Sequence, residues 1–135
     1  MTSAMLELQR SVLAVLKAGP ALKELVDGRI YDRVPAGAEF PYVTLGGSTS
    51  YDWSTATERG SEHLLSLNVW DRAGGRKSVL EIMDLVDHLL LEGDFVLRGY
   101  RLINLVAQSS MARAEDSRDG YLGVLRYRIV TEELA

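Results

Sequence analysis

The sequence predicts an α+β fold, with two N-terminal helices and one long helix packed on a mostly antiparallel sheet that ends in a long C-terminal hairpin. Three observations carry this. Apolar residues recur at helical spacing near the N-terminus and again over 79–90. Within 64–70, Leu65, Leu67 and Val69 alternate with Ser66 and Asn68, and two extended runs flank an Asp119-Gly120 pair near the C-terminus. Helices that bury one stripe and strands that bury one face find their stable solution as layers around a common core.

In the first helix, Met5, Leu8, Val12 and Val15 share one face, joined by Leu6, Leu13 and Leu16, behind a candidate Ser3 cap. Gly19 followed by Pro20 ends it, since glycine accepts the left-handed C-terminal position and proline suits the first turn of a following helix. That second, short helix spans Pro20 to Val26 and stops at Gly28. Arg29 to Val34 reads as extended, and Pro35, Gly37 and Pro41 punctuate a loop.

A strand begins at Tyr42, and Gly46-Gly47 predicts a bend or bulge within it. Ser48 to Gly60, polar and rich in Ser and Thr, reads as a long exposed loop or flexible hairpin tip. From Leu64 to Trp70, Leu65, Leu67 and Val69 face one way and Ser66 and Asn68 the other, as a half-buried strand requires. Gly74-Gly75 turns the chain into the longest helix, whose core stripe is Val79, Ile82, Met83, Val86, Leu89 and Leu90, and Gly93 ends it. The final hairpin pairs Arg101 to about Arg113 with Tyr121 to Thr131, with Ile103, Leu105 and Ala107 expected on the same core face as Leu125, Tyr127 and Ile129.

At 135 residues the chain is one domain's worth, and we read 1–135 as a single domain without repeats or linkers. Hydrophobic residues at 47% and charged residues at 25% are sufficient for a packed core. A net charge of -4 argues against a dedicated nucleic-acid binder, which needs Lys and Arg to displace counterions from phosphate. There is no cysteine, hence no disulfide framework, thiolate metal site or thiol nucleophile. Residues 1–10 lack a signal-peptide pattern and no run approaches a membrane span, so the expectation is a cytoplasmic protein that does not enter a membrane.

The residues that bear chemistry do not assemble into a catalytic or metal-binding motif. His63 and His88 stand apart, and Asp84 with His88 at i, i+4 supplies only two donors, which suits a helix-surface pair better than a metal shell. No serine occupies a nucleophile elbow. Glu81, Asp84 and Asp87 most simply solvate the outer face of the long helix. The stretch Asp71 to Ser78 has glycines and basic residues at a helix start but not the order of a phosphate-binding loop. No enzyme activity and no cofactor are expected.

Surface contact is the better prospect. Tyr51 and Trp53 are large aromatics in a polar stretch, which either anchor a protein interface or fold back on the domain. Arg113, Arg118, Arg126 and Arg128 gather near the last hairpin, and alternation puts Arg126 and Arg128 on its non-core face. That face is either simply polar and exposed or a subunit interface that meets acids of a neighbour.

Gly28, Arg29, Ile30, Tyr31, Asp32, Val34 and Pro35 are followed by Phe40, Pro41, Tyr42 and Val43, then by Asp52, Trp53, Ser54 and Thr55. Val69, Trp70, the Gly74-Gly75-Arg76 turn and Asp119-Gly120 come after them. This order of residues resembles the phage tail-terminator or tail-completion (head-tail joining) proteins, including those of gene transfer agents. The resemblance implies a tail-terminator-like fold and a ring of six copies that caps the tail tube, stops its growth and joins it to a head-side stopper or connector. DNA would only pass through the lumen, and the protein would assemble in the host cytoplasm before entering the particle at the head-tail junction. On this reading Tyr51, Asp52, Trp53, Arg113, Arg118, Arg126 and Arg128 are the candidate subunit or tube interface. The alternatives are another head-tail connector ring, such as a stopper or tube subunit, and a small ligand-binding or enzymatic α+β domain.

Overall fold

The computed structural model describes residues 2–73 and 75–134, with the backbone but not the side chain of Arg118. Helix α1 (Ala4–Lys17) starts where the Leu6 N–H bonds the Ser3 hydroxyl at 3.2 Å. It buries Leu8, Val12 and Leu16 while Leu6 stays exposed. Helix α2 (Pro20–Val26) begins at the expected proline and ends at Asp27, which takes the left-handed conformation. Proline at the first helical position sets the start and the left-handed Asp27 the end. Gly19, expected to be left-handed, is instead extended at φ -77°, and a Cβ on it would stand 2.6 Å from Leu89 Cδ1, so close packing against Leu89 explains the glycine.

The sheet is built from β1 (Ile30–Tyr31), β2 (Tyr42–Asp52), β3 (Gly60–Asp71), β4 (Tyr100–Glu115) and β5 (Gly120–Glu133), in the spatial order β1-β2-β3-β5-β4. Only the β1–β2 pairing is parallel. Helix α3 (Gly75–Glu92) lies on the same face as α1 and α2, and its Val79, Ile82, Met83, Val86 and Leu90 meet Leu65, Leu67, Leu125, Tyr127 and Ile129. Of the glycine pair expected to lead into α3, Gly74 falls outside the described residues and Gly75 opens the helix.

Four further expectations change. The extended stretch from Arg29 to Val34 shrinks to the two residues of β1. The long loop from Ser48 to Gly60 is mostly strand: β2 continues to Asp52, and only residues 53–59 connect it to β3. Threonine favours strands, and residues 47–52 are exposed throughout, so polarity there marked exposure and not irregular backbone. The Gly46-Gly47 irregularity is present, as a register shift between Leu45 and Ser48. A Cβ on Gly46 would stand 2.9 Å from Ser66 Cβ, which explains the glycine.

In β4, Leu105 and Ala107 do stand opposite Ile129 and Tyr127, but of the two only Leu105 packs on the core while Ala107 is exposed. Ile103 lies in a register shift between Leu102 and Asn104 and is exposed. One inserted residue resets the alternation, so a strict period-two reading of that strand fails at Ile103. Finally, Asp87 does more than solvate α3, since it accepts a 2.7 Å hydrogen bond from the Tyr127 hydroxyl. Glu81 and Asp84 are exposed as expected.

Candidate assembly surface

The residues from Gly28 to Tyr42 come together as a braced corner of the fold. Arg29 donates from Nε to the Pro41 carbonyl at 2.9 Å and from a terminal nitrogen to the Phe40 carbonyl at 3.3 Å. The ring of Tyr42 lies 5.1 Å from that of Phe40 and 5.9 Å from that of Tyr31, and the Arg72 guanidinium sits 4.6 Å over Phe40. A planar guanidinium that grips two carbonyls, beside a group of rings, holds the 32–41 loop against the start of β2. These residues therefore build the domain rather than line a site.

Tyr51 and Asp52 end β2 and Trp53 begins the connection to β3. Tyr51 is 52% and Trp53 50% exposed, so neither ring folds back into the domain. The connection is braced by its own hydrogen bonds. Asp52 accepts from the Ser54 hydroxyl at 2.6 Å and its backbone N–H at 3.2 Å, which holds its carboxyl below the ordinary range. The Thr55 hydroxyl accepts from the Glu58 N–H, and the Trp53 N–H bonds the Gly60 carbonyl at 2.9 Å. Local side-chain bonds of this kind fix a turn that composition alone reads as flexible.

Arg128 lies on the helix-free face of the sheet and donates to Glu62 at 2.6 Å, so its acid comes from the neighbouring strand of the same chain. Arg126 shares that face and is exposed. Arg113, near the far end of β4, pairs with Glu115 at 2.9 Å. The side chain of Arg118 lies outside the described residues. The six candidates whose side chains are described thus form no single cluster. Tyr51, Asp52 and Trp53 mark one end of the sheet, Arg126 and Arg128 its middle, and Arg113 the other end. Strand geometry puts the two ends roughly 30 Å apart.

Sequence reading missed two further features. His63, buried in β3, bridges Ser50 and Thr131, and burial lowers its pKa. Glu7, buried on α1, accepts the Arg98 N–H at 3.0 Å and pairs with Arg10 at 2.8 Å, which ties the segment after α3 to the first helix. The i, i+3 spacing of Glu7 and Arg10 was visible, but not the distant backbone donor. A groove of about 650 Å³ between α1 and α3 is walled by Val15, Leu89 and Val96 with Ser11, Glu7 and Arg10 at its side. Two of its polar groups are already engaged: the Ser11 hydroxyl holds the Val96 N–H and Glu7 holds Arg10. His88 pairs with Glu92 at 3.2 Å, not with Asp84. Among the described residues no three His, Asp or Glu gather as a metal site, and no helix is long and apolar enough to cross a membrane.

The family model described as tail completion protein gp17 matches residues 10–132. The chain belongs to that family. A chain from the virion of a native gene transfer agent particle superposes with a TM-score of 0.89 at 29% identity, over 98% of this chain and 99% of that one. The gp17 protein of bacteriophage SPP1 superposes at 0.61 with 19% identity, over 98% and 91%, and shares the fold. No curated protein matches the sequence. This tail completion protein is a phage-type structural protein and not an enzyme.

Proposed function

We propose that this protein forms a ring of six copies that caps the tail tube, ends its polymerisation and joins it to the head-side stopper or connector. The observation that carries the reading is the whole-chain likeness to a chain of the gene transfer agent virion, joined to the tail completion family match. A head-to-tail interface closes into a ring when its rotation closes, and the closure sets the copy number. The sheet supports such a role physically, because it carries separate contact groups at its two ends. Tyr51, Asp52 and Trp53 meet one partner, the tube or a neighbouring subunit. Arg113 and Arg118, at the tip of the β4–β5 hairpin, meet another, and Arg126 and Arg128 lie between them.

DNA passes through the lumen without specific contact, in keeping with a net charge of -4. Assembly takes place in the host cytoplasm, and the finished ring resides at the head-tail junction of the particle. The test is particle morphology by negative-stain electron microscopy of lysates from a strain that lacks the gene. Separate heads with unjoined or overlong tails are expected. Normally joined particles would overturn the reading.

A further inference from the structure

The sheet has two open edges. Among the described residues β4 pairs only with β5, so its other side has no strand partner there for its backbone N–H and C=O groups. At the opposite side β1 covers β2 only at Val43 and Thr44, and from Leu45 to Asp52 the outer edge of β2 has no strand partner among the described residues. Edges of this kind template pairing with another chain, and proteins that stay monomeric blunt them with charged residues, above all lysine, with proline or with bulges. Each edge here carries a register shift, between Leu45 and Ser48 in β2 and between Leu102 and Asn104 and Ala107 and Ser109 in β4, but neither charge nor proline guards it. A quarter of the chain is charged, yet no residue from Leu102 to Ala112 is charged, and none from Tyr42 to Tyr51. Neither stretch contains proline.

We propose that the β4 edge of one subunit pairs with the β2 edge of the next copy, so that the sheet runs continuously from subunit to subunit. This deepens the ring reading above and rests on it. Strand direction agrees. β2, β3, β5 and β4 alternate in direction, so β4 runs opposite to β2, and a rotation about an axis along the strands presents β2 of the next copy antiparallel to β4. The levels agree as well. Across the sheet, Asp52 aligns with Ser61, Thr131 and Leu102, while Thr49 aligns with Leu64, Arg128 and Val106, and Leu45 with Leu67, Leu125 and Ser110. The open stretch of β2 therefore lies level with residues 102–110 of β4. Side chains agree too, since Thr49 and Tyr51 share the helix-free face with Val106. The rings and methyls left exposed at Tyr51 and Val106, 52% and 45%, would meet across the new pair. The partner is a second copy, because one chain supplies both uncharged edges in opposed directions.

The chain's lack of cysteine allows a direct test. Thr49→Cys or Tyr51→Cys is combined with Val106→Cys, the two-residue step keeping the face while covering a shifted register. Within one chain β2 and β4 stand three strand spacings apart, about 14 Å, beyond the roughly 7 Å that a disulfide spans. Purified particles are oxidised and run on non-reducing gels. A ladder of multimers from at least one double variant, absent from each single variant, is expected. Dimers from Val106→Cys alone would mean twofold β4–β4 pairing and overturn the proposal. No disulfide from either double variant, in particles where glutaraldehyde still captures multimers of this chain, would overturn edge pairing and leave the ring reading standing. Absence of multimers under both treatments would overturn the ring reading itself.

Discussion

His63 and Thr131 meet in the interior of the sheet, 2.9 Å apart from Nε2 to Oγ1, while His63 Nδ1 lies 2.6 Å from the Ser50 hydroxyl. One imidazole thereby links β2, β3 and β5 close to the end of the sheet that carries Tyr51 and Trp53. The two hydroxyls satisfy both ring nitrogens, so the ring can be buried without an orphaned polar atom.

Burial holds the His63 pKa below its ordinary 6.5, which gives stability a defined pH dependence. The unfolded chain takes up the proton first as pH falls, so this contribution is fully present above pH 6.5 and is lost progressively below it. Urea midpoints measured at pH 8 and at pH 5.5 should fall at the lower pH, and His63→Asn should flatten that difference. An equally steep loss in the variant would assign the effect elsewhere.

Glu7 is also pH-sensitive, in a lower window. The Arg98 N–H holds its carboxyl below the ordinary 4.5 against the opposing effect of burial, with help from Thr2 and Arg10. A lowered carboxylate stabilises the fold above about pH 4.5, and this is lost as pH falls through the folded value. Glu7→Gln should lower the melting temperature at pH 7 and narrow the difference between pH 7 and pH 4. Proteolysis after residue 92 reports the same loss locally, since Glu7 anchors Arg98 to α1.

Gly123 in β5 sits beneath α3. A Cβ there would press on Met83 Sδ and lie 2.6 Å from Val79 Cγ1, and the β-branched valine cannot turn aside as the methionine can. Gly123→Ala should cost about 1–3 kcal/mol by chemical denaturation, the usual range for overpacking. Gly47→Ala, where nothing lies within 4 Å, is the control and should be near neutral.

Tyr51→Ala combined with Trp53→Ala removes two half-exposed rings, one near the end of β2 and one in a connection held by its own hydrogen bonds. Circular dichroism and melting temperature should change little, whereas the yield of joined particles should fall at least tenfold, as loss of interface anchors implies. Full infectivity or transduction by the double variant would remove these residues from the interface.

Much of this molecule is determined locally and was therefore legible. Ser3, Pro20 and Gly28 set helix limits through capping and φ preference, which act over a few residues. The alternation at Leu65, Leu67 and Val69 identified the buried face of β3, because side-chain direction in a strand has a period of two. The order of residues from Gly28 to Tyr42 pointed to the family, although their work proves to be bracing a corner.

What the tertiary structure alone decided are the relations between segments far apart in the chain. Whether Ser48 to Asp52 is loop or strand depends on β3 lying beside it, and the exposure of Ile103 depends on where the β4–β5 register shifts. His63 with Thr131, and Glu7 with Arg98, join residues 68 and 91 positions apart. The two open edges belong to the same class. A run of uncharged residues can be read directly, but that Leu102 to Ala112 and Leu45 to Tyr51 border opposite sides of one sheet follows only from strand order. Hydrogen bonding between strands is indifferent to sequence separation, so no local pattern encodes it.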